Sequence, residues 1–253
     1  MIDQPAPEFR VALAETQDDL RRAQELRYDV FVRELGGGGV LVDHQARLEQ
    51  DRFDPYFDHL ILYDDAVGKA VGVYRMLRTE QARAAGQFYS ESEYDLTPLR
   101  ATGRTLLELG RSCLHADYRG GTAMLHLWAG LADYVAQHHI DIMFGVASFY
   151  GTDPQALAQP LSLLHHRHLA PEALRVRALA PNAHSMDLMP EDKIDRRAAM
   201  VQVPALIKAY LRLGGVVGAG AYVDHAFNTT DVCLIMDTRM MSERQKRIYG
   251  SAQ

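Results

Sequence analysis

Cysteine is scarce. Two in 253 residues leave no disulfide framework. Cys113 and Cys233 each stand in an apolar, strand-like run, where a buried free thiol is expected. A reducing, cytoplasmic setting follows as the expected location. Long apolar runs are missing as well. No stretch approaches the roughly 18 residues of a membrane span, and MIDQPAPEFR carries proline and acids where a signal peptide needs an apolar core. An excess of positive charge is also lacking. Lys and Arg number 27 against 33 Asp and Glu, a formal net charge of −6, which speaks against nucleic acid as a partner. There is no internal repeat and no low-complexity linker. One domain over residues 1–253 is therefore expected, with a core from about 9 to 238 and a basic tail over 239–253. Residues 240–249 of that tail are read as a short interfacial anchor for peripheral membrane contact.

What is present reads as mixed α+β with an elaborated C-terminal part; 47% of the residues are hydrophobic, enough for a large core. Phe9–Ala14 reads as a strand. Thr16 caps a helix with Asp18 and Asp19 in its first turn and Leu20, Ala23, Leu26, Val30 and Phe31 at helical spacing. The glycines at 36–39 end it. Residues 40–55 are polar and irregular, with acids at Asp43, Glu49, Asp51 and Asp54. HLILYD and KAVGVYRML form a hairpin, and a short helix follows from Thr79. TLLELGRSCLH is a strand, residues 121–138 a helix and 141–149 a strand. GTDP at 151–154 opens another helix. Residues 165–200 look least regular. A helix from Pro204 to Leu213 and a strand from Asp231 to Met236 complete the pattern. His165 and His168 would share a helix face, but no acid or cysteine stands at ligand spacing, so no metal is expected.

The informative stretch is ELGRSCLHADYRGGTAM. Glu108 and Arg111 interrupt the apolar strand formed by Leu106, Leu107, Leu109, Cys113 and Leu114. Charges on an interior strand are costly unless paired or used. Residues three apart in a regular strand face opposite ways, so a bulge near Gly110 is expected to bring the two together. Arg119-Gly120-Gly121-Thr122 then opens a helix whose first N–H groups lack intrahelical partners, which suits an anion.

This strand, turn and helix resemble the pyrophosphate loop of GCN5-related N-acyltransferases, whose Gln/Arg-x-x-Gly-x-Gly/Ala is shortened here. Arg27 with Phe31, Asp51 with Asp54, Arg75, and Glu108 with Arg111 stand in the same order as in the acyl-homoserine-lactone synthase branch. Gly37 falls where that branch usually has Trp, and this chain is longer, which speaks against lactone synthesis. The resemblance that runs nearly end to end, through ELGRSCLHADYRGG, FGVASFYGTDP, LLHH, IKAYLRLGG and DHAFNTTDVCLIM, is to the bacterial ornithine N-acyltransferases.

That resemblance implies a GCN5-related N-acyltransferase-like central mixed sheet flanked by helices. It implies amide formation between a (3-hydroxy)acyl thioester on acyl carrier protein and an amino acid, ornithine first, with glutamine or glycine as alternatives. A carrier-protein binding module without catalysis is the reading from another class. No tightly bound cofactor is implied; the donor brings its own phosphopantetheine. Glu108 is expected as general base with Arg111 beside it. An N–H near Ser112 or Cys113 is expected to meet the oxyanion, and Arg119, Gly120, Gly121 and Thr122 the donor phosphate. Arg27, then Arg75, are expected to hold the amino acid's carboxylate, and Asp51, Asp54 or Asp224 its side-chain ammonium. Phe31, Ser148 and His225 complete the expected substrate positions. Arg75, Arg78, Arg104 and Arg111 are expected to steer the acidic carrier protein.

Overall fold

Thr16 caps its helix in the way its sequence suggests. In a computed structural model of the chain, which describes residues 6–241, Thr16 Oγ1 accepts from Asp19 N at 3.1 Å and Asp19 Oδ2 accepts from Thr16 N at 3.0 Å. This reciprocal capping box fixes the start of the helix Gln17–Arg27. The helix does not end there. It widens into a π-helical segment, Tyr28–Glu34. The apolar spacing of Leu26, Val30 and Phe31 reads as one continuous α-helix, so the sequence gives no sign of the change. The widened turns keep Val30 on the apolar cluster, while the Tyr28 hydroxyl lies 3.2 Å from His44 Nδ1.

The described chain divides into two compact units. One comprises the chain up to Leu77 together with Leu109–His139; the other comprises Arg78–Glu108 and the chain from Ile140. The sequence, lacking a linker, reads as one domain. The division needs no linker, because over the described residues the chain passes between units three times, once in mid-strand between Glu108 and Leu109.

In the first unit, strand Phe9–Leu13 runs antiparallel to Asp58–Asp64, which runs antiparallel to Lys69–Arg78 with a register shift at Leu62/Tyr63. The C-terminal half of the strand Leu106–Leu114 follows. Ala23, Leu26, Val30, Ile61, Tyr63, Val73 and Cys113 form a buried cluster, with Phe31 packed against it. The helix Ala123–Gln137 lies close to the sheet: a Cβ on Gly130 would fall 2.6 Å from Val11 Cγ1. Only glycine allows that approach.

In the second unit, Leu106–Glu108 pairs in parallel with Ile142–Phe144. The strand Ile142–Tyr150 pairs antiparallel along its whole length with Thr229–Asp237, which forms a hairpin with Ala221–Asp224. Mixed pairing is thus built into the sheet. Helices Ala158–His168 and Arg196–Gln202 share an apolar cluster of Leu163, Ile194 and Ala199. Part of the region read as irregular is therefore helical. Asp195 caps the second helix by accepting from Arg197 N and Ala198 N, both at 3.0 Å. No helix among the described residues is long and apolar enough to cross a membrane. The proposed tail anchor lies largely outside the described residues, over 242–253.

Candidate active site

The first unit holds a buried network of charge. Arg27, with no exposed surface, donates from Nε to Glu49 Oε2 at 2.5 Å and from Nη1 and Nη2 to Asp54 at 2.8 and 3.2 Å. Arg75 Nη1 lies 2.6 Å from Asp54 Oδ1 and 2.8 Å from Asp51 Oδ2, with its guanidinium 4.3 Å from the Phe57 ring centre. Arg111 reaches Glu49 Oε1 from Nε at 3.1 Å and Asp51 Oδ2 from Nη2 at 3.5 Å. Gln24 Nε2 donates to Asp54 Oδ2 at 2.9 Å. Three arginines face three carboxylates. Burial alone would raise the Glu49 carboxyl, but Arg111, Arg27 and Arg75 together outweigh it and hold the group at about 2. Asp54 is likewise held well below the usual carboxylate range, by Arg27 and Arg75 against its burial. His59, whose Nε2 lies 3.1 Å from the Asp54 carbonyl oxygen, is pushed down to about 4, first by burial and then by Arg27.

This geometry bears on several expectations. Arg27 and Arg75 are both fully buried, with carboxylate partners. They cannot clasp a substrate carboxylate or steer a carrier protein without dismantling the network. Asp54 is committed to both of them. The residues of the sequence pattern do come together, and their charges answer one another. Asp51 and Arg111 are the members that reach the surface, at 19% and 12% exposure. Phe31 packs on the apolar cluster and supports the helix.

Arg111 has a further distinction. Its φ is 49°, in the left-handed region, a conformation that costs a non-glycine residue about 1–3 kcal/mol. The irregularity expected at Gly110 therefore falls on Arg111 itself. Its ion pairs to Glu49 and Asp51 help to hold it there. Ser112 is half-buried and Cys113 buried. Burial pushes the Cys113 thiol up to about 12, which keeps it protonated and unsuited to nucleophilic attack.

The turn after this strand is open. Gly120 has φ of 80°, and neither Gly120 nor Gly121 has any atom within 4 Å of where a Cβ would stand. Thr122 precedes the helix Ala123–Gln137. Arg119 is tied down by two donations to the Leu114 carbonyl oxygen, at 3.1 and 3.0 Å, and by a two-pronged pair with Glu34 at 2.5 and 2.7 Å. An open hollow of about 670 Å³ elsewhere in this unit, beside Arg10, Thr16, Asp19 and Tyr63, holds none of the expected residues.

In the second unit, Glu108 is buried on its strand. It accepts from Tyr89 N and Ser90 N, each at 2.7 Å, and from the Ser90 hydroxyl. Donors thus meet both carboxylate oxygens. Arg104 pairs with Asp237, and Arg78 with Glu80, so both steering candidates in this unit are already neutralised. Ser148 is exposed on its strand. Asp224 Oδ1 caps its turn, accepting from Ala226 N at 2.7 Å and Phe227 N at 3.2 Å, and His225 is exposed in that turn. Asp224 also shares a cluster with the buried Glu93 and Asp231, one carboxylate oxygen of each lying within 4.8 Å of the others. The acid that spacing failed to supply for the histidines is Asp187, whose Oδ1 lies 3.3 Å from His166 Nε2; that nitrogen is also 3.0 Å from the Met189 carbonyl oxygen.

Four residues carry more of this geometry than the sequence suggested: Glu49, Gln24, His59 and Glu34. Glu49 had a signal, since Glu49, Asp51 and Asp54 form one acidic run in an otherwise irregular segment. Glu34 had none, because its partner lies far along the chain.

Residues 26–129 match the family model described as an acetyltransferase (GNAT) domain. The chain is 57% identical over 246 residues to an L-ornithine N(alpha)-acyltransferase of Rhodobacter capsulatus, covering 95% of this chain and 94% of that protein. Among solved structures it is similar to FeeM, an N-acyl amino acid synthase from uncultured soil microbes, with a TM-score of 0.54 at 10% identity over 93% of each chain. It is also similar to the AHL synthase LasI, with a TM-score of 0.53 at 14% identity over 97% of this chain and 96% of that one. At such identities the two structures bear on the fold.

Proposed function

This chain belongs to the L-ornithine N(alpha)-acyltransferase family, and from that premise we propose that it joins a (3-hydroxy)fatty acyl group, delivered as a thioester of acyl carrier protein, to the α-amine of ornithine. The observation that carries the reading is the 57% identity along nearly the whole of both chains. The α-ammonium must lose a proton, the amine nitrogen then attacks the thioester carbonyl, and the tetrahedral intermediate collapses with loss of the thiol.

Glu108 takes the proton in this reading, directly or through one water. The donors from Tyr89 and Ser90 fix its carboxylate on the strand, which supports the choice. The oxyanion is met by the N–H of Ser112 or Cys113; the left-handed turn at Arg111 supports this choice, since it breaks the regular course of the strand. Arg119 and the open amides of Gly120, Gly121 and Thr122 receive the phosphate of the donor's phosphopantetheine. Arg111, although paired with Glu49 and Asp51, is the most exposed cation of the network, which supports it as the partner of the acceptor's carboxylate. The amphiphilic product supports contact with a membrane surface.

The test is mass spectrometry of products after mixing the protein with 3-hydroxyacyl-acyl carrier protein and a panel of free amino acids, with acyl-coenzyme A in parallel. An N-acyl ornithine formed from carrier protein is expected. Acylated glutamine or glycine would move the acceptor, and no product at all would favour a binding module. Glu108→Gln separates base from anchor, because a second reading has Glu108 simply fastening the Tyr89–Ser90 turn. As a base, its loss lowers kcat about 10²–10⁴-fold and removes the acidic limb of the pH–kcat profile. A lower melting temperature with near-normal kcat would leave the anchor.

A further inference from the structure

The cation at the open glycine turn is already occupied by an anion from within the chain. Arg119 meets both oxygens of Glu34, at 2.5 and 2.7 Å, in the forked geometry by which a guanidinium also grips a phosphate. The pair is not sealed in the core: the two side chains keep 42% and 39% of their exposure. The other side of the guanidinium is anchored on the Leu114 carbonyl oxygen, so Arg119 stays in place whichever anion it holds. Glu34 stands at the end of its element. It is the last residue of the π-helical segment and is followed by the half-exposed Leu35 and by Gly36, with φ of 71°, which opens the run of four glycines.

We infer that Glu34 is a stand-in for the donor's phosphate: it holds Arg119 while the turn is empty, and a donor must displace it. This rests on Arg119 being the phosphate partner proposed above. Glu34 thereby sets donor specificity. A phosphodiester offers Arg119 two anionic oxygens in the same fork that Glu34 fills and so competes with it, whereas a thioester without a phosphate gains nothing from Arg119 and leaves the pair intact. An exposed ion pair of this kind is weak, which is what a displaceable contact requires; its strength corresponds to roughly a two- to five-fold change in apparent affinity.

Two donors with the same acyl chain decide the matter, S-acyl-4′-phosphopantetheine and S-acyl-pantetheine, which lacks the phosphate. E34Q is expected to lower KM for the phosphorylated donor about two- to five-fold and to leave KM for the other where it was, with the gain shrinking as salt is raised. R119A is the companion variant and is expected to raise KM for the phosphorylated donor alone. If R119A behaves so but E34Q changes neither donor, or both alike, the stand-in role is overturned and the phosphate reading survives. If R119A affects both donors equally, the phosphate reading falls and takes the stand-in role with it.

Discussion

Glu49 bridges two arginines from a position with 1% exposure. A carboxylate so placed is tolerable only because both of its oxygens face cations. Glu49→Gln leaves Arg27 and Arg111 short of a counter-charge in a buried setting. The expected cost is about 3–5 kcal/mol, read as a lower urea midpoint at unchanged m-value. At this scale the sequence was partly legible. The order of Arg27, Asp51, Asp54, Arg75 and Arg111 was visible, and the charges on an apolar strand marked Glu108 and Arg111 as unusual. Which of them meet one another was not visible, because spacing says nothing of partners brought from other segments. Arg27 therefore read as a substrate ligand when it is a fully paired core residue.

Among the elements, the helix Ala123–Gln137 and the strand it covers were plain from their apolar stripes. Their closeness was not, since it depends on the absence of one methyl group. Replacing a helix-interior glycine with alanine ordinarily gains about 1 kcal/mol. At Gly130 the added Cβ would meet the stiff, branched Val11 at 2.6 Å, and overpacking costs about 1–3 kcal/mol. The second effect wins, so Gly130→Ala is expected to lower thermal stability; a raised melting temperature would show that the first strand yields to the helix. The π-helical turns of Tyr28–Glu34 escaped the sequence reading for a related reason. Their apolar spacing suits α and π turns alike over so short a run, and only packing distinguishes them.

For the whole molecule, pH is the informative variable. His59 falls from 6.5 to about 4 and Glu49 from 4.5 to about 2 on folding. Both folded values lie below the unfolded ones, so the unfolded chain binds more protons through these windows and stability falls as pH falls. The contribution of His59 is complete above pH 6.5 and is lost down to about 4; that of Glu49 is complete above 4.5 and is lost down to about 2. Each corresponds to about 3 kcal/mol. Urea titrations across this range are expected to show two successive declines, and His59→Gln should flatten the upper one. The mixed sheet was legible from alternating strands and helices, whereas the two-unit division was not, since no stretch of composition marks a crossing made in mid-strand.

That crossing has a consequence for how the protein is made. When the first hundred residues have left the ribosome, the first unit still lacks Leu109–Leu114 and the helix Ala123–Gln137 that covers its sheet. The second unit lacks its long antiparallel pair until Asp237 has been synthesised. Neither can be finished in order from the N-terminus, and a nascent chain stalled midway leaves apolar strands uncovered. Any attempt to express half of the chain, cut after Leu77 or His139, is expected to yield aggregate.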